Sequence, residues 1–383
     1  GGPDRWVELR RTRDGELLPT WRGGGGIGRL RWSPGGRLLG YTTPGKEGAT
    51  TLWALDVGAG EVTRLAGGLK GFGDYRWAPD GATVVYSISE EQEADPRKVD
   101  RLRHPAERES GFRTPSSLVQ LSVDGGTSRR LTAGLRGLGG WSISADGARV
   151  LLLLGEPDYS EPPFWRTAVW ELDLATLVAT ELIEDSGIHD AVYSPDGARI
   201  ALMGSPTAFE GIGSTVAEGA WSPAWDNQLF LLDRDTGEVA AVSRELTPGI
   251  AGIEWSRADG RIYCLCTEGQ YRPVYALDPG SGSWSRVETG VEVVAGFDLA
   301  LTARAAVVFG TGATTPSKLR LVDPRRGRNK LLLDPGTERY RDVVFGDVVP
   351  WTCALDGGRE LDGRIYYPPD FDPSQTYPAI VYY

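Results

Sequence analysis

A short pattern recurs along this chain: an aromatic or apolar residue, a small polar one, then a turn closing on glycine. The copies are Trp32-Ser33-Pro34-Gly35-Gly36, Trp77-Ala78-Pro79-Asp80-Gly81, Ile143-Ser144-Ala145-Asp146-Gly147 and Tyr193-Ser194-Pro195-Asp196-Gly197. A fifth, Trp255-Ser256-Arg257-Ala258-Asp259-Gly260, holds one inserted residue. Proline presets φ for a turn, and Asp-Gly supplies the positive φ of a tight hairpin. Each copy leads into a strand-like run such as Leu38-Leu39-Gly40-Tyr41 or Ile262-Tyr263-Cys264. A second pattern alternates with the first: an apolar strand ending in aspartate before a short turn. It reads Leu52-Trp53-Ala54-Leu55-Asp56, Val169-Trp170-Glu171-Leu172-Asp173, Leu229-Phe230-Leu231-Leu232-Asp233, Val274-Tyr275-Ala276-Leu277-Asp278 and Leu319-Arg320-Leu321-Val322-Asp323. Two hairpins per repeat make four antiparallel strands, one blade of a β-propeller. A β-sandwich also uses hairpins, but it does not repeat a paired motif six times.

The glycines closing the first pattern stand 45, 66, 50 and 63 residues apart. A bare blade takes about 40–50 residues, so the longer intervals hold insertions. The expected fold is all-β, a β-propeller of about seven four-stranded blades over residues 1–345. Blades are placed near 29–68, 74–133, 139–184, 190–246, 250–289 and 292–335, the last without the first pattern. Trp6-Val7-Glu8-Leu9 with Asp14-Gly15-Glu16-Leu17 reads as a partial blade within 1–28. Counting seven assumes that strands from both ends of the chain close the ring together.

Composition narrows the function. A formal net charge of -11 and a pI near 4.9 argue against nucleic acid, whose phosphates need a basic surface. Of 41 basic residues 36 are arginine, which we read as composition and not as a site. No run of eighteen apolar residues exists, so no membrane partner is expected. Three cysteines are too few for a disulfide framework. Cys264 and Cys266 share one strand face, and all three read as packing thiols in a reducing compartment. Low cysteine use points to the cytoplasm first, and a removed leader would also permit the periplasm. No cofactor or metal is expected.

The repeats resemble the N-terminal half of the prolyl oligopeptidase family of serine peptidases, nearest its acylaminoacyl-peptidase and dipeptidyl-peptidase branches. Three places carry the resemblance over roughly residues 25–383. One is the run of Trp-Ser-Pro-Asp-Gly-like blades, shared with TolB-type propellers. The second is the Arg-rich insertion Asp95-Pro96-Arg97-Lys98-Val99-Asp100-Arg101-Leu102-Arg103, followed by Gly111-Phe112-Arg113. The third is Leu361-Asp362-Gly363-Arg364-Ile365-Tyr366-Tyr367-Pro368-Pro369, leading through Phe371-Asp372-Pro373 into the apolar run Ala379-Ile380-Val381-Tyr382-Tyr383. The resemblance implies that residues 346–383 start a truncated α/β-hydrolase domain, with Ala379–Tyr383 as a buried strand. It also implies a peptide substrate and an α/β-hydrolase catalytic domain as partners, with a homo-oligomer as a further option.

The chain itself shows no catalytic residues. A nucleophile elbow needs Gly-x-Ser-x-Gly, because small neighbours let the strained turn expose the hydroxyl. Gly140-Trp141-Ser142-Ile143-Ser144 fails at its last position. The only histidines, His104 and His189, read as solvated.

Candidate substrate contacts lie on three insertions, since long loops in a compact domain tend to be functional. In Ser89–Pro115, Glu90 and Glu91 could hold a free amine, as the resemblance implies for a paired carboxylate, while Arg101 or Arg103 could fork onto a substrate carbonyl or carboxylate. Glu156–Trp165 offers Tyr159 and Trp165 as an apolar wall, or merely as packing on a blade edge. Ser205–Asn227 carries Phe209, Trp221 and Trp225 in a Gly-rich stretch suited to an interface or gate. The reading is thus a substrate-gating propeller of a serine exopeptidase or oligopeptidase cleaving short peptides, the alternative being a non-enzymatic TolB-like interaction scaffold.

Overall fold

The turns adopt the conformations that their residues require. Gly36, Gly81, Gly147, Gly197 and Gly260 all adopt positive φ, between 67° and 73°. At the second pattern, one aspartate oxygen accepts two successive backbone N–H groups. Asp56 holds Gly58 and Ala59, Asp173 holds Ala175 and Thr176, and Asp233 holds Asp235 and Thr236. Asp278 and Asp323 repeat this at Gly280–Ser281 and Arg325–Arg326. An aspartate that closes its own turn explains why each such strand ends in that residue. These N–H groups hold the Asp56, Asp173, Asp233 and Asp278 carboxyls below the ordinary range.

The computed structural model describes residues 6–18, 21–22, 26–90, 114–160, 162, 164–216, 225–358 and 360–382. A short pair, β1 (Trp6–Val7) with β2 (Trp21–Arg22), precedes the blades. Blade 1 is β3 (Gly28–Trp32), β4 (Leu38–Pro44), β5 (Thr50–Asp56) and β6 (Glu61–Leu69). Blade 2 is β7 (Phe72–Trp77), β8 (Thr83–Ser89), β9 (Ser116–Ser122) and β10 (Ser128–Arg130). Blade 3 is β11 (Leu138–Ile143), β12 (Arg149–Pro157), β13 (Trp165–Asp173) and β14 (Ala179–Asp185). Blade 4 is β15 (Ile188–Tyr193), β16 (Arg199–Gly204), β17 (Gln228–Asp233) and β18 (Val239–Ala241). Blade 5 is β19 (Gly249–Trp255), β20 (Ile262–Thr267), β21 (Val274–Asp278) and β22 (Ser283–Val287). Blade 6 is β23 (Val293–Leu299), β24 (Ala306–Thr311), β25 (Lys318–Asp323) and β26 (Arg328–Leu333). A hairpin, β27 (Val348–Ala354) with β28 (Glu360–Tyr366), follows.

Six four-stranded sheets, each of consecutive antiparallel strands, correct the expected seven. The supposed half-blade at the start pairs only two residues on each side and joins no four-stranded sheet. Residues 346–382 give the β27–β28 hairpin and, among the described residues, no α/β-hydrolase layer. The run expected as a buried strand is neither: Ala379–Tyr382 has no strand assignment, and Ile380 is 98% exposed. A strand needs a partner for its backbone groups, and the described residues provide none there.

Burial is between blades. Val84, Tyr86 and Val119 of blade 2 pack with Leu52, Ala54 and Leu65 of blade 1, and Val85 and Leu118 with Trp141, Val150 and Leu152 of blade 3. Blades 3 and 4 share Leu151, Val169, Ile188, Ile200, Leu202, Phe230 and Leu232. Further clusters join blades 4 and 5 and blades 5 and 6, the former enclosing Cys264 and Cys266. The last cluster differs, setting Val7 against Ile27, Leu39, Tyr41 and Leu55 of blade 1. The N-terminal segment also touches blade 6, where Lys330 Nζ donates to the Arg13 carbonyl at 2.6 Å. Among the described residues no sheet mixes strands from the two ends, and this segment bridges the first and last blades by side chains.

Candidate functional site

The first strand of each blade is the inner one, since β3 meets β7, β11 meets β15 and β15 meets β19. Side chains tie these strands together. Tyr75 Oη donates to the Arg29 carbonyl at 2.8 Å, Trp77 Nε1 to the Arg31 carbonyl at 3.1 Å, and Ser142 Oγ to the Ala191 carbonyl at 3.2 Å. Gly40 makes the first two possible, because a Cβ there would lie 2.6 Å from Tyr75 Oη. Every inner strand carries a bulge against its neighbour at the same level. The bulges fall between Gly28 and Arg31, Phe72 and Tyr75, Leu138 and Gly140, Ile188 and Asp190, Ile250 and Gly252, and Val294 and Gly296.

Aligning the inner strands puts one residue of each just before its aromatic or apolar position: Arg31, Arg76, Ser142, Val192, Glu254 and Asp298. Two residues earlier stand Arg29, Asp74, Gly140, Asp190, Gly252 and Gly296. The charges are divided around the ring, arginines on blades 1 and 2 and acids on blades 4, 5 and 6, with Asp74 of blade 2 among the arginines. Arg76 of blade 2 feels Asp190 of blade 4 and Glu254 of blade 5, and Asp298 of blade 6 feels Arg31 of blade 1. Burial pushes the Glu254 carboxyl up to about 8, reinforced by Asp298. Burial likewise raises Asp190 and Asp298 and lowers Arg76. Arg31 and Arg29 pair with Asp74 at 2.9 and 3.3 Å. Arg76 lies over the Trp141 ring at 5.3 Å, and its buried Nε has no hydrogen-bond partner.

Strand direction sets what each end of the ring carries. The two Asp-rich hairpins of every blade turn at one end, so the links between second and third strands, and between blades, lie at the other. All three insertions are second-to-third-strand links, in blades 2, 3 and 4. The β27–β28 hairpin docks at that end too. Arg364 donates to Gln270 Oε1 at 2.5 Å, pairs with Glu292 at 3.1 Å and stacks over Tyr271 at 4.9 Å. Gln270 and Tyr271 form the corresponding link in blade 5, and Glu292 the step from blade 5 to blade 6.

Among the expected contact residues, Glu90 is exposed and stands 4.0 Å from Arg130 on its own blade, while Glu91, Arg101, Arg103, Trp221 and His104 lie outside the described residues. Tyr159 and Trp165 are part-exposed on the neighbouring blade 3. The Trp165 ring spreads over Gly155, where a Cβ would lie 2.7 Å away, so it packs on its own blade edge. The loop before it is closed by Asp158, which accepts the Ser160 N–H at 2.9 Å. In the third insertion Phe209 packs edge-on against Phe230 at 5.0 Å, whereas Trp225 is 91% exposed. His189 is exposed and contacts the Asn227 side chain at 2.9 Å. These charges were not singled out from sequence, although Arg31, Arg76 and Glu254 each immediately precede the repeat signature. No group of three His, Cys, Asp or Glu that could hold a metal occurs among the described residues, and none of their helices is long and apolar enough to cross a membrane.

The architecture defines a β-propeller with its irregular links gathered at one end. No family model matches the chain. It superposes on the acylaminoacyl peptidase of Pyrococcus horikoshii with a TM-score of 0.69 and 17% identity, over 94% of this chain and 53% of that one. On puromycin hydrolase the TM-score is 0.63 with 20% identity, over 99% of this chain and 55% of that one. In sequence it is 26% identical over 201 residues to dipeptidyl-peptidase 5 of Porphyromonas gingivalis, covering 50% of this chain and 26% of that protein. The chain therefore spans about half the length of these solved neighbours and about a quarter of the curated relative. The resemblance to prolyl oligopeptidase-type peptidases, expected from the repeats, is met in fold and in sequence, at low identity.

Proposed function

We propose that this chain is the propeller part of a serine peptidase acting on short peptides, with an α/β-hydrolase module seated on the end that carries the insertions and the β27–β28 hairpin. One observation carries the reading: three long links and the hairpin all emerge at the same end of the ring. The hairpin is apolar on exposed positions, including Trp351, Leu361, Ile365 and Tyr366. An isolated two-stranded hairpin is marginal in water, and exposed apolar strands suit a covering partner. In this arrangement the ring restricts entry to short or unfolded peptides, and Glu90, Glu91, Arg101, Arg103, Tyr159 and Trp165 border the space between the two modules.

The test uses both the 383-residue chain and the gene that encodes it. Sequence continuing past the Tyr383 codon is expected to encode Gly-x-Ser-x-Gly. The longer product should hydrolyse acyl-peptide or dipeptidyl anilides and label with a fluorophosphonate. The 383-residue chain should do neither. A continuation lacking any nucleophile elbow, or turnover by the shorter chain that survives repurification, would refute the proposal.

A further inference from the structure

The β27–β28 hairpin is held to the ring at few points. No residue of 348–366 enters any of the buried clusters that join the blades. Among the described residues, every hydrogen bond, ion pair and ring contact between the hairpin and the blades runs through Arg364. The chain leading in gives no further hold. Asp334 is tied to Lys318 of blade 6 at 3.3 Å, and beyond it residues 337–345 are exposed. With its covalent entry at Val348 alone, a two-stranded sheet would be free to swing.

Arg364 supplies the second point. It pairs across from Pro350, two residues along β27 from Val348. The two anchors are thus about 7 Å apart, which fixes the direction in which the hairpin points. The socket that receives the arginine is braced by its own backbone. Glu268 and Tyr271 exchange N–H···O bonds at 3.0 and 2.9 Å, the Arg272 N–H donates to the Glu292 carbonyl at 3.1 Å, and the Val294 N–H donates to the Arg272 carbonyl at 3.0 Å. Gln270 Oε1, the Tyr271 ring and the Glu292 carboxylate therefore stand on a fixed corner between blades 5 and 6. A guanidinium uses all three at once: an N–H on the amide oxygen, its face on the ring, its charge on the carboxylate. The Arg364 side chain is only 12% exposed there, whereas that of Glu292 is 46% exposed. Withdrawing the arginine leaves a carboxylate that water already reaches, so the blades lose little.

We propose that Arg364 is a positioning residue, a pin that sets the angle of the hairpin to the ring and, with it, the angle of whatever the hairpin carries. The pin belongs to this chain, and its consequence for catalysis rests on the hydrolase module proposed above.

Cys353 is exposed on β27 while Cys264 and Cys266 are buried, so a thiol-reactive fluorophore labels the hairpin alone in the folded 383-residue chain. Arg364→Met should cut the residual anisotropy of that probe by roughly half and speed amide exchange in residues 348–366 about tenfold, with residues 249–333 unchanged. Glu292→Gln and Gln270→Ala alter the socket from the ring side and should each loosen the hairpin to a smaller degree, so the test does not hang on one variant folding. Unchanged anisotropy and exchange in all three variants overturn the pin, whatever the gene encodes past the Tyr383 codon. In the longer product, Arg364→Met should shift KM for a tripeptide anilide about threefold and kcat less than about twofold. A loosened hairpin without that shift in KM overturns the positioning role. An unaltered longer product with no peptidase activity counts against the peptidase reading and leaves the pin standing.

Discussion

The junction between blades 3 and 4 and the seam between blades 6 and 1 perform the same geometric task by different means. At the first, Leu151, Val169, Ile188, Leu202, Phe230 and Leu232 interlock in a fully buried cluster. Glu171 above it accepts the Tyr193 hydroxyl at 2.9 Å and Arg234 at 2.7 Å, and Arg234 also donates to the Gly197 carbonyl. At the seam no buried cluster of the described residues spans the two blades. Val7 packs into blade 1, Lys330 of blade 6 reaches the Arg13 carbonyl, and Arg31 faces Asp298. Sheets of consecutive strands bury their faces pairwise, so five junctions join blades that are neighbours in sequence. The sixth joins the two blades farthest apart in sequence, and a segment is laid across it.

If that contrast is right, substitutions at the two places differ in cost. Phe230→Ala opens a cavity under the junction and should destabilise the chain by about 3–5 kcal/mol, read as a lower denaturant midpoint at constant m. Glu171→Ala should come next, at about 2 kcal/mol, because it leaves the Tyr193 hydroxyl and the Arg234 guanidinium short of an acceptor. Val7→Ala at the seam should cost about 1 kcal/mol and Lys330→Ala under about 0.5 kcal/mol. Their clearer signature is faster amide exchange in residues 6–18 with blades 3 and 4 unaffected. Equal costs for Phe230→Ala and Val7→Ala would erase the distinction.

A further test lies on the axis, between these extremes. Glu254 titrates near 8 when folded and near its ordinary 4.5 when unfolded. The native state therefore holds the extra proton in that window, and stability falls as pH rises from about 4.5 to about 8. Glu254→Gln should flatten this slope and stabilise the chain by roughly 2 kcal/mol at pH 9, with little change at pH 4.5. Thermal melts of both proteins across that range decide it, and parallel pH profiles would discard the assignment.

How much could be read beforehand followed from how local the physics was. Asp-Gly turns and strand-ending aspartates are decided within four or five residues, so the paired hairpins were visible in the sequence. The Trp6–Leu9 segment carries the same alternation as a blade strand, but alternation does not say whether a partner exists, and it was overread. Ala379–Tyr383 misled for the same reason, since apolar composition records a wish for burial and not its fulfilment. Arg76 and Glu254 are 178 positions apart. Each is a single charged residue before a tryptophan, and only the closing of the ring turns them toward each other. The residues expected to contact substrate lay on insertions, where neither turn chemistry nor periodicity fixes a side chain's direction.

Since every sheet is encoded by one uninterrupted stretch, the gene could gain or lose a whole repeat without cutting any surviving sheet in two. Ring size is then free to drift by units of one blade. What such a change could not spare is the seam, because Val7 and the Arg13 carbonyl meet blades 1 and 6 at one fixed separation.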